Sequence, residues 1–213
     1  MNDLRFWTQD RSVDVVFDVG ANVGQTVDRF KRYFPEARIE AFEPVRSTFE
    51  TLQDRVADYE EVRCHPFALG KTADTKQIRL VPNSLINSLS NEVSGPSETE
   101  ETEEISVRTL DSFCEQENIR HIDVLKTDTE GFDVDVLKGG KDLLERHGVD
   151  FIISESAFHP SDDQHTLFRS LNNYLQEAGY RVAGFYEIAR ERERPAVSYC
   201  NVCYARKGVL SQG

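Results

Sequence analysis

Apolar and polar positions alternate along this chain in a way that predicts strands and helices in regular succession. A strand pattern ends at Gly20 and is followed by Val23, Val27, Phe30 and Phe34 at helical spacing. Further units of this kind follow, so the predicted strands are 13–19, 38–42 and 62–69 and the predicted helices are 22–34 and 45–57. Consecutive βα units predict a parallel sheet with helices on both faces.

The middle of the chain breaks this rhythm. Residues 77–81 and 105–109 have strand patterns, and between them lie a polar, turn-rich stretch, 83–95, and an acidic run, 98–104. We interpret residues 71–109 as a β-excursion with a solvated tip, because acidic runs of this kind are usually solvated. A lid over a substrate is the alternative role for that tip.

The alternation then resumes and completes a single predicted α/β domain spanning residues 1–213. The predicted helices are 110–117, 134–146 and 166–178, and the predicted strands are 122–127, 151–155, 181–188 and 197–205. Gly139 and Gly140 interrupt the second of these helices. No helix pattern separates the last two strands, so we predict that they form an antiparallel pair.

Composition and charge narrow the set of partners. The 213 residues include 25 Lys and Arg against 38 Asp and Glu, which gives a formal net charge of −13. Nucleic acids and anionic membranes bind basic surfaces, so both are disfavoured as partners. The sequence lacks the run of about 20 apolar residues that a membrane helix requires, and its N-terminus lacks the apolar segment of a signal peptide. We therefore expect a cytoplasmic protein that does not insert into membranes. The sequence is also compatible with a homo-oligomer.

Two of the four cysteines, Cys200 and Cys203, have a spacing that metal and redox sites use. They stand in the strand pattern 197–205, without a second cysteine pair or a histidine pair beside them. We therefore predict buried or half-buried strand thiols rather than a metal or redox centre.

The first candidate site is a glycine loop at the turn from the first strand to the first helix. It contains Asp18, Gly20, Asn22 and Gly24, and open α/β sheets bind ligands at such turns. The spacing departs from the dinucleotide fingerprint Gly-x-Gly-x-x-Gly, since Asn22 replaces the glycine that admits a pyrophosphate. This departure disfavours nicotinamide and flavin cofactors.

The second candidate site is Glu43, which follows Gly20 by 23 positions at the end of the second strand. An acidic residue about 20 residues beyond the glycine loop binds ribose hydroxyls in dinucleotide folds. Asp18 would repel a diphosphate and attract an ammonium group. S-adenosylmethionine carries a ribose, a carboxylate and an ammonium group and has no phosphate, so it fits Asp18, Gly20, Gly24 and Glu43 together.

The third candidate site, residues 123–132, ends the predicted strand 122–127. Asp128 and Glu130 are candidates for substrate contact or proton acceptance, and we expect Lys126 to pair with one of them. If the sheet is parallel, this segment lies at the same edge as the glycine loop. A solvated surface loop is the alternative interpretation.

These segments together resemble the FkbM-family methyltransferases. The resemblance is carried by residues 18–24, Glu43-Pro44, Leu110-Asp111, 125–131 and 136–139, and it extends from about residue 13 to residue 207. It implies a Rossmann-like class I fold: a mostly parallel seven-stranded sheet with helices on both faces, an antiparallel last strand and a small β-excursion after strand three. It also implies S-adenosylmethionine as the cofactor, with S-adenosylhomocysteine as the product. Family members are largely O-methyltransferases of sugars, glycolipids and polyketide-type natural products.

The resemblance also implies roles for individual residues. The residues expected to line the methionine portion of the cofactor are Asp18, Gly20, Asn22 and Gly24. Glu43 is expected to bind the ribose, and Ala68 is expected to lie near the adenine. The transferred methyl group is expected beside Asp128 and Glu130, with Asn87-Ser88-Leu89 helping to close the pocket. Residues 199–204 resemble the late strand of members that act on saccharides, and Phe132 departs from the pattern because a small residue is frequent there.

Methyl transfer to a hydroxyl needs a general base within about 3 Å. The candidates are Asp128, Glu130, Glu155, which ends the predicted strand 151–155, and His159 in the loop after it. The remaining histidines, His65, His121, His147 and His165, have no pairing that suggests catalysis or metal binding.

A magnesium ion could bind the oxygen ligands of Asp128, Glu130 and Glu155, but their spacing does not require a metal. The expected acceptor is a small molecule or a saccharide. A non-catalytic S-adenosylmethionine-binding regulatory module and a nucleotide-dependent oxidoreductase are the alternative functions.

Overall fold

A computed structural model describes Thr8 and residues 11–80, 102–162, 164–190 and 196–210. The strands are β1 Val15–Val19, β2 Arg38–Phe42, β3 Val62–His65, β4 Ala68–Leu69, β5 Asp74–Arg79, β6 Thr102–Arg108, β7 Ile122–Thr127, β8 Val149–Ala157, β9 Tyr180–Tyr186 and β10 Tyr199–Arg206. The helices are α1 Gln25–Tyr33, α2 Arg46–Val56, α3 Leu110–Gln116, α4 Asp133–Lys138, α5 Lys141–Glu145 and α6 Phe168–Glu177. The predicted alternation of strands and helices is confirmed.

The main sheet has seven strands in the order β3-β2-β1-β7-β8-β10-β9. The pairs from β3 to β8 are parallel, and β10 runs antiparallel to both β8 and β9. The predicted fold class, including the antiparallel pair at the end of the chain, is therefore confirmed. The chain order changes direction between β1 and β7, which is where open α/β sheets bind ligands.

Helices cover both faces of this sheet. Successive strand residues point to opposite faces, so Val16 and Phe17 of β1 belong to two different core clusters. The cluster around Val16 includes buried residues of α1 and α2, and the cluster around Phe17 includes buried residues of α3, α4, α5 and α6. The predicted placement of helices on both faces is confirmed.

The predicted strand 62–69 is two strands in two different sheets. β3 ends at His65 and pairs with β2, whereas β4 starts at Ala68 and pairs with β6 in a three-stranded sheet of order β4-β6-β5. Pro66 stands between them, and proline has no N–H with which to continue a ladder. The expectation of one continuous strand was wrong.

The β-excursion is present as the antiparallel pair β5 and β6. β6 begins at Thr102, so the last residues of the acidic run belong to a strand rather than to the tip. The tip itself, including Asn87-Ser88-Leu89, lies outside the described residues, and its role as a lid stays a prediction.

Gly139 and Gly140 divide the predicted helix 134–146 into α4 and α5. A Cβ atom on Gly139 would lie 2.1 Å from the carbonyl oxygen of Gly70, and one on Gly140 would lie 2.5 Å from the side chain of Leu110. The two glycines therefore allow close approach to neighbouring segments.

Cys200 and Cys203 are buried in β10 and are free thiols, as predicted. Among the described residues, no helix is long and apolar enough to span a membrane.

Candidate active site

A cavity opens to solvent at the carboxyl ends of β1 and β2, between the glycine loop and the turn that follows β7. The residues around it are Val19, Gly20, Asn22, Val23, Phe42, Glu43, Pro44, Thr48, Ala68, Leu69, Asp128, Thr129 and Glu130. All three candidate sites of the sequence thus contribute to one cavity. Thr129 belongs to the third candidate site, whereas Thr48 and Leu69 stood in no motif that could have singled them out.

The glycine loop is held to β2 by its backbone. The N–H groups of Gly20 and Ala21 both donate to the carbonyl oxygen of Phe42, at 3.0 and 2.9 Å. Gly20, Asn22 and Gly24 have positive φ values of 80°, 49° and 83°, a region that glycine and asparagine adopt most readily. This conformation turns the chain from β1 into α1 beside the cavity.

Gly24 has a packing role at the start of α1. It does not line the cavity, and a Cβ atom at this position would lie 2.8 Å from Cδ1 of Leu52 in α2. The glycine therefore allows the start of α1 to pack closely against α2. The expected contact of Gly24 with the methionine portion of the cofactor stays a prediction.

Glu43 joins the glycine loop to the start of α2. Its Oε2 accepts a hydrogen bond from the N–H of Asn22 at 3.1 Å, and its Oε1 accepts one from the N–H of Val45 at 2.9 Å. Burial raises the pKa of Glu43 to about 7 despite these hydrogen bonds. Each carboxylate oxygen can accept more than one hydrogen bond, so Glu43 retains acceptor capacity toward the cavity that it lines.

Asp18 is completely buried at the end of β1. Among the described residues, no donor forms a hydrogen bond with either of its carboxylate oxygens, and Nζ of Lys126 lies 3.7 Å from Oδ1. Burial raises the pKa of Asp18 to about 6. A buried carboxylate without a hydrogen-bond donor is costly. Asp18 does not line the cavity, and the charge that the structure places beside it is the ammonium group of Lys126.

Lys126 is the buried cation of the site. It faces Asp18 across the parallel strands β1 and β7, and its Nζ lies 2.9 Å from Oδ2 of Asp128. The predicted pairing of Lys126 with one of the two acids is confirmed. Burial disfavours the charged amine, but the attraction of Asp128 and Asp18 outweighs it and raises the pKa of Lys126. Burial likewise opposes ionisation of Asp128, yet Lys126 holds the pKa of that carboxyl below its usual range.

Glu130 lines the same cavity from the turn after β7. Its φ of 52° is unusual for a glutamate, and such strained positions cluster at functional sites. Burial, together with the charge of Asp128, raises the pKa of Glu130 to about 7. The turn therefore presents two different acids: Asp128, whose pKa is lowered, and Glu130, which titrates near neutrality.

Glu155 ends up next to His165, a residue for which the sequence indicated no catalytic pairing. Nε2 of His165 lies 3.3 Å from Oε2 of Glu155, and Nδ1 lies 3.0 Å from Oδ1 of Asp162. Hydrogen bonding to Glu155 raises the pKa of His165 to about 9, and burial raises the pKa of Glu155. The sequence did not indicate this ion pair, because the loop between Glu155 and His165 has to fold back before the two side chains can meet.

His159 occupies a different environment. It is exposed in the loop after β8, and its described hydrogen bonds are to Ser161, with Nδ1 at 2.6 Å from Oγ. The geometry thus gives His165, rather than His159, a direct contact with Glu155.

A magnesium site made by Asp128, Glu130 and Glu155 has no support in the geometry. Within the described part of the chain, the group whose ligand atoms lie within 4.8 Å of one another is His121, Asp123 and Asp150. Asp150 already accepts two hydrogen bonds from Arg206 and forms an ion pair with Arg11. Arg206 and Arg11 therefore already balance the negative charge of Asp150, which a metal ion would need as a ligand.

Comparison with known proteins identifies a family. The family described as "Methyltransferase FkbM domain" matches residues 18–182. A protein of Beauveria bassiana named "Methyltransferase 1" is 27% identical over 188 residues, which cover 79% of this chain and 72% of that protein.

Two further relatives have names that state a chemistry. "Hexuronic acid methyltransferase AglP" of Haloferax volcanii is 29% identical over 142 residues, covering 67% of this chain and 55% of that protein. "2-O-methyltransferase NoeI" of Sinorhizobium fredii is 25% identical over 150 residues, which cover 62% of this chain and 59% of that protein. The chain thus spans between half and two thirds of the length of these two relatives.

Solved structures share the fold. The magnesium protoporphyrin IX methyltransferase of Synechocystis PCC 6803, solved with bound S-adenosylmethionine, superposes with a TM-score of 0.52 at 10% identity. The superposition covers 96% of this chain and 76% of that one. At this identity the likeness concerns the fold alone.

Proposed function

Because the chain belongs to the FkbM family of S-adenosylmethionine-dependent methyltransferases, we propose that it methylates a hydroxyl group of a sugar or of a glycosylated small molecule. The observation that carries this proposal is the meeting of Glu43, the glycine loop and the Asp128–Glu130 turn around one cavity. The arrangement supports a nucleoside on one side of the cavity and a reacting hydroxyl beside the turn.

The residues present fit S-adenosylmethionine. Asp18 does not line the cavity, but its oxygens lack hydrogen-bond donors among the described residues, and its negative charge at the end of β1 favours an ammonium group beside Gly20. Glu43 can accept hydrogen bonds from ribose hydroxyls, and Phe42, Ala68 and Leu69 offer an apolar wall for adenine. The cofactor, when bound, supplies a methyl group already activated on a sulfonium sulfur.

The task of the protein is then to orient the acceptor and to remove its proton. Correct orientation can be worth about 7–11 kcal/mol in favourable cases, and a well-placed base adds roughly 10²–10⁴-fold. As the new C–O bond forms and the C–S bond breaks, the hydroxyl proton passes to a carboxylate. Glu130 suits this role, since its pKa near 7 matches the working pH of a general base.

Asp128 suits a different role. Lys126 keeps it ionised and fixed in position, so it can accept a hydrogen bond from the acceptor without taking the proton. A site rich in carboxylates is well suited to a polyol, because each ionised carboxylate accepts hydrogen bonds from hydroxyl groups. The names of two relatives, a hexuronic acid methyltransferase and a 2-O-methyltransferase, support sugar hydroxyls as the class to test first.

The first test is isothermal titration of the purified protein with S-adenosylhomocysteine, with NAD as the comparison. We expect binding of the former in the micromolar range and no binding of NAD. Failure of S-adenosylhomocysteine to bind would contradict the assignment of the cavity, and binding of NAD instead would favour an oxidoreductase.

The second test concerns the acceptor. The protein is incubated with S-adenosylmethionine and a panel of neutral sugars, amino sugars and uronic acids, and mass spectrometry follows the addition of one methyl group. We expect methylation of at least one hydroxylated sugar. Cofactor binding without transfer to any panel member would contradict the proposed acceptor class and would favour a non-catalytic binding module.

A further inference from the structure

His165 is held from three directions at the edge of the candidate active site. Its Nε2 lies 3.3 Å from Glu155, its Nδ1 lies 3.0 Å from Asp162, and its ring stacks on Tyr199 with centroids 4.4 Å apart and an angle of 18° between the planes. The backbone N–H of His165 also donates to Oδ1 of Asp162 at 2.8 Å. The ring therefore has little freedom to rotate.

The loop that carries His165 is fastened to the sheet. The N–H of Ala157, at the end of β8, donates to the carbonyl oxygen of Thr166 at 3.0 Å. The hydroxyl of Thr166 donates to Oδ2 of the buried Asp133 at 2.7 Å. These contacts fix the position of His165 relative to β8 and α4 without a direct bond from the histidine itself.

Glu155 does not line the cavity itself but lies next to the turn that does. Thr127 of β7 pairs with Ser154 of β8, so Asp128 and Glu155 are the next residues along two adjacent parallel strands. Both carboxyl groups interact with Lys126 and with His165. The carboxylate of Glu155 therefore continues the row of acids that begins with Asp128 and Glu130.

We propose that His165 is a positioning residue: its imidazolium, held by Asp162 and Tyr199, opposes the protonation of Glu155 that burial favours and keeps this side chain directed toward the methyl acceptor. Glu155 then accepts a hydrogen bond from an acceptor hydroxyl, while proton removal remains with the turn after β7. The inference rests on the proposed function, because Glu155 has this role only if an acceptor binds at this edge of the sheet. Lys126 likewise lies between two acids, Asp18 and Asp128. Among the described residues the site thus has two buried or half-buried cations, Lys126 and His165, each held between two carboxyl groups.

A direct test needs no acceptor. Titration of the histidine ring protons by nuclear magnetic resonance gives the pKa of His165, whose signal is assigned as the one lost in His165→Gln. The groups that face the ring are Glu155, Asp162, Asp128, Glu130 and Tyr199. We expect titration near pH 9 in the wild type, and a downward shift of one pH unit or more in Glu155→Gln.

Two variants keep this test decisive. His121→Gln removes another imidazole that lies between two acids, Asp123 and Asp150, at the opposite edge of the sheet, and should leave the His165 titration unchanged. Asp162→Asn should lower the pKa of His165 even if Glu155→Gln fails to fold. Titration of wild-type His165 near its ordinary value, or an unchanged value in both acid variants, would overturn the inference.

The kinetic test uses the acceptor found by the sugar panel. His165→Gln should bind S-adenosylhomocysteine within about twofold of the wild type, and its kcat/KM for the acceptor should fall roughly 10- to 100-fold, as expected for a misplaced hydrogen-bonding partner. His121→Gln should behave as the wild type in both assays. If the wild type binds S-adenosylhomocysteine and methylates the acceptor but His165→Gln does so equally well, the inference fails while the proposed function stands. If the wild type does neither, the proposed function itself fails.

Discussion

Gly20 and Asp128 are in direct backbone contact: a Cβ atom on Gly20 would lie 2.0 Å from the carbonyl oxygen of Asp128. The N–H of Asp128 also donates to the carbonyl oxygen of Val19 at 2.9 Å. The glycine loop and the turn after β7, which are more than 100 positions apart in the sequence, therefore form one continuous wall of the cavity. The small size of Gly20 is required by this contact as well as by its positive φ.

Replacement of Gly20 by alanine should destabilise the protein strongly. The added methyl group must displace either the glycine loop or the turn after β7, and we expect a loss of about 2–4 kcal/mol in the free energy of unfolding. Urea denaturation measures this quantity. Gly208→Ala is the matched control, because Gly208 has a similar positive φ of 93° but no atom within 4 Å of the place that a Cβ would occupy. A loss no larger than that of the control would show that the contact with Asp128 is unimportant for stability.

Replacement of Glu43 by alanine should weaken cofactor binding. The variant loses the acceptor for ribose and also the hydrogen bonds from the N–H groups of Asn22 and Val45, so buried donors are left without partners. We expect the dissociation constant of S-adenosylhomocysteine to rise about 10-fold or more, since loss of hydrogen bonds to a charged group costs about 1.5–3 kcal/mol. Glu50→Gln, on the exposed face of α2, is the control and should bind normally. Equal affinity of the Glu43 variant and the control would remove Glu43 from the cofactor site.

Replacement of Asp128 by asparagine should separate binding from turnover. The backbone contact with Gly20 remains, so we expect the affinity for S-adenosylhomocysteine to change by less than about threefold. The methylation rate should fall about 100-fold or more, because the change removes a fixed charge beside the reacting group. Asp135→Asn removes an exposed ion pair with Lys138 and should leave both quantities unchanged. Full activity of the Asp128 variant would exclude this residue from catalysis.

The pH dependence of methylation should report Glu130. Its pKa is raised to about 7, so the carboxylate that accepts the proton becomes scarce as the pH falls below that value. We expect kcat/KM to fall with decreasing pH through an inflection near pH 7, with Asp128, Glu155, Asp133 and His165 as the neighbouring charges that set its position. Glu130→Gln should have a lower rate and should lack this inflection. An inflection that persists unchanged in Glu130→Gln would assign it to another group.

The ion pair of His165 should stabilise the fold in a pH-dependent way. The folded-state pKa of about 9 lies above the ordinary value of 6.5, so the stabilisation is fully present below about pH 6.5 and is lost as the pH rises through 9. The difference in free energy of unfolding between the wild type and His165→Gln should therefore be larger at pH 6.5 than at pH 10, by about 1–3 kcal/mol. The same comparison in a Glu155→Gln background should give a smaller pH-dependent difference. A difference that does not vary with pH would mean that His165 is not held in its charged form.

Local patterns in the sequence were sufficient for the architecture and for much of the candidate site. Strand and helix periodicities depend on neighbouring residues, and consecutive βα units lead to a parallel sheet whose strand ends meet at one edge. For this reason Glu43, Asp128 and Glu130 could be assigned to one cavity from their positions at strand ends. The sequence predicted that Lys126 pairs with Asp128 or Glu130, and the tertiary structure selects Asp128.

The tertiary structure decided the features that depend on distant contacts. Residues 62–69 have one continuous strand pattern, yet Pro66 and the separate partners β2 and β6 divide them between two sheets. Gly24 packs against Leu52 of α2, which no spacing within the glycine loop could indicate. His165 is brought to Glu155 and Tyr199 by a loop that folds back onto β8.

The sequence by itself determined which residue types stand at the strand ends, because those positions follow from local periodicity. Only the tertiary structure decided which histidine meets the acids, because that contact depends on how a loop packs against β8 and β10.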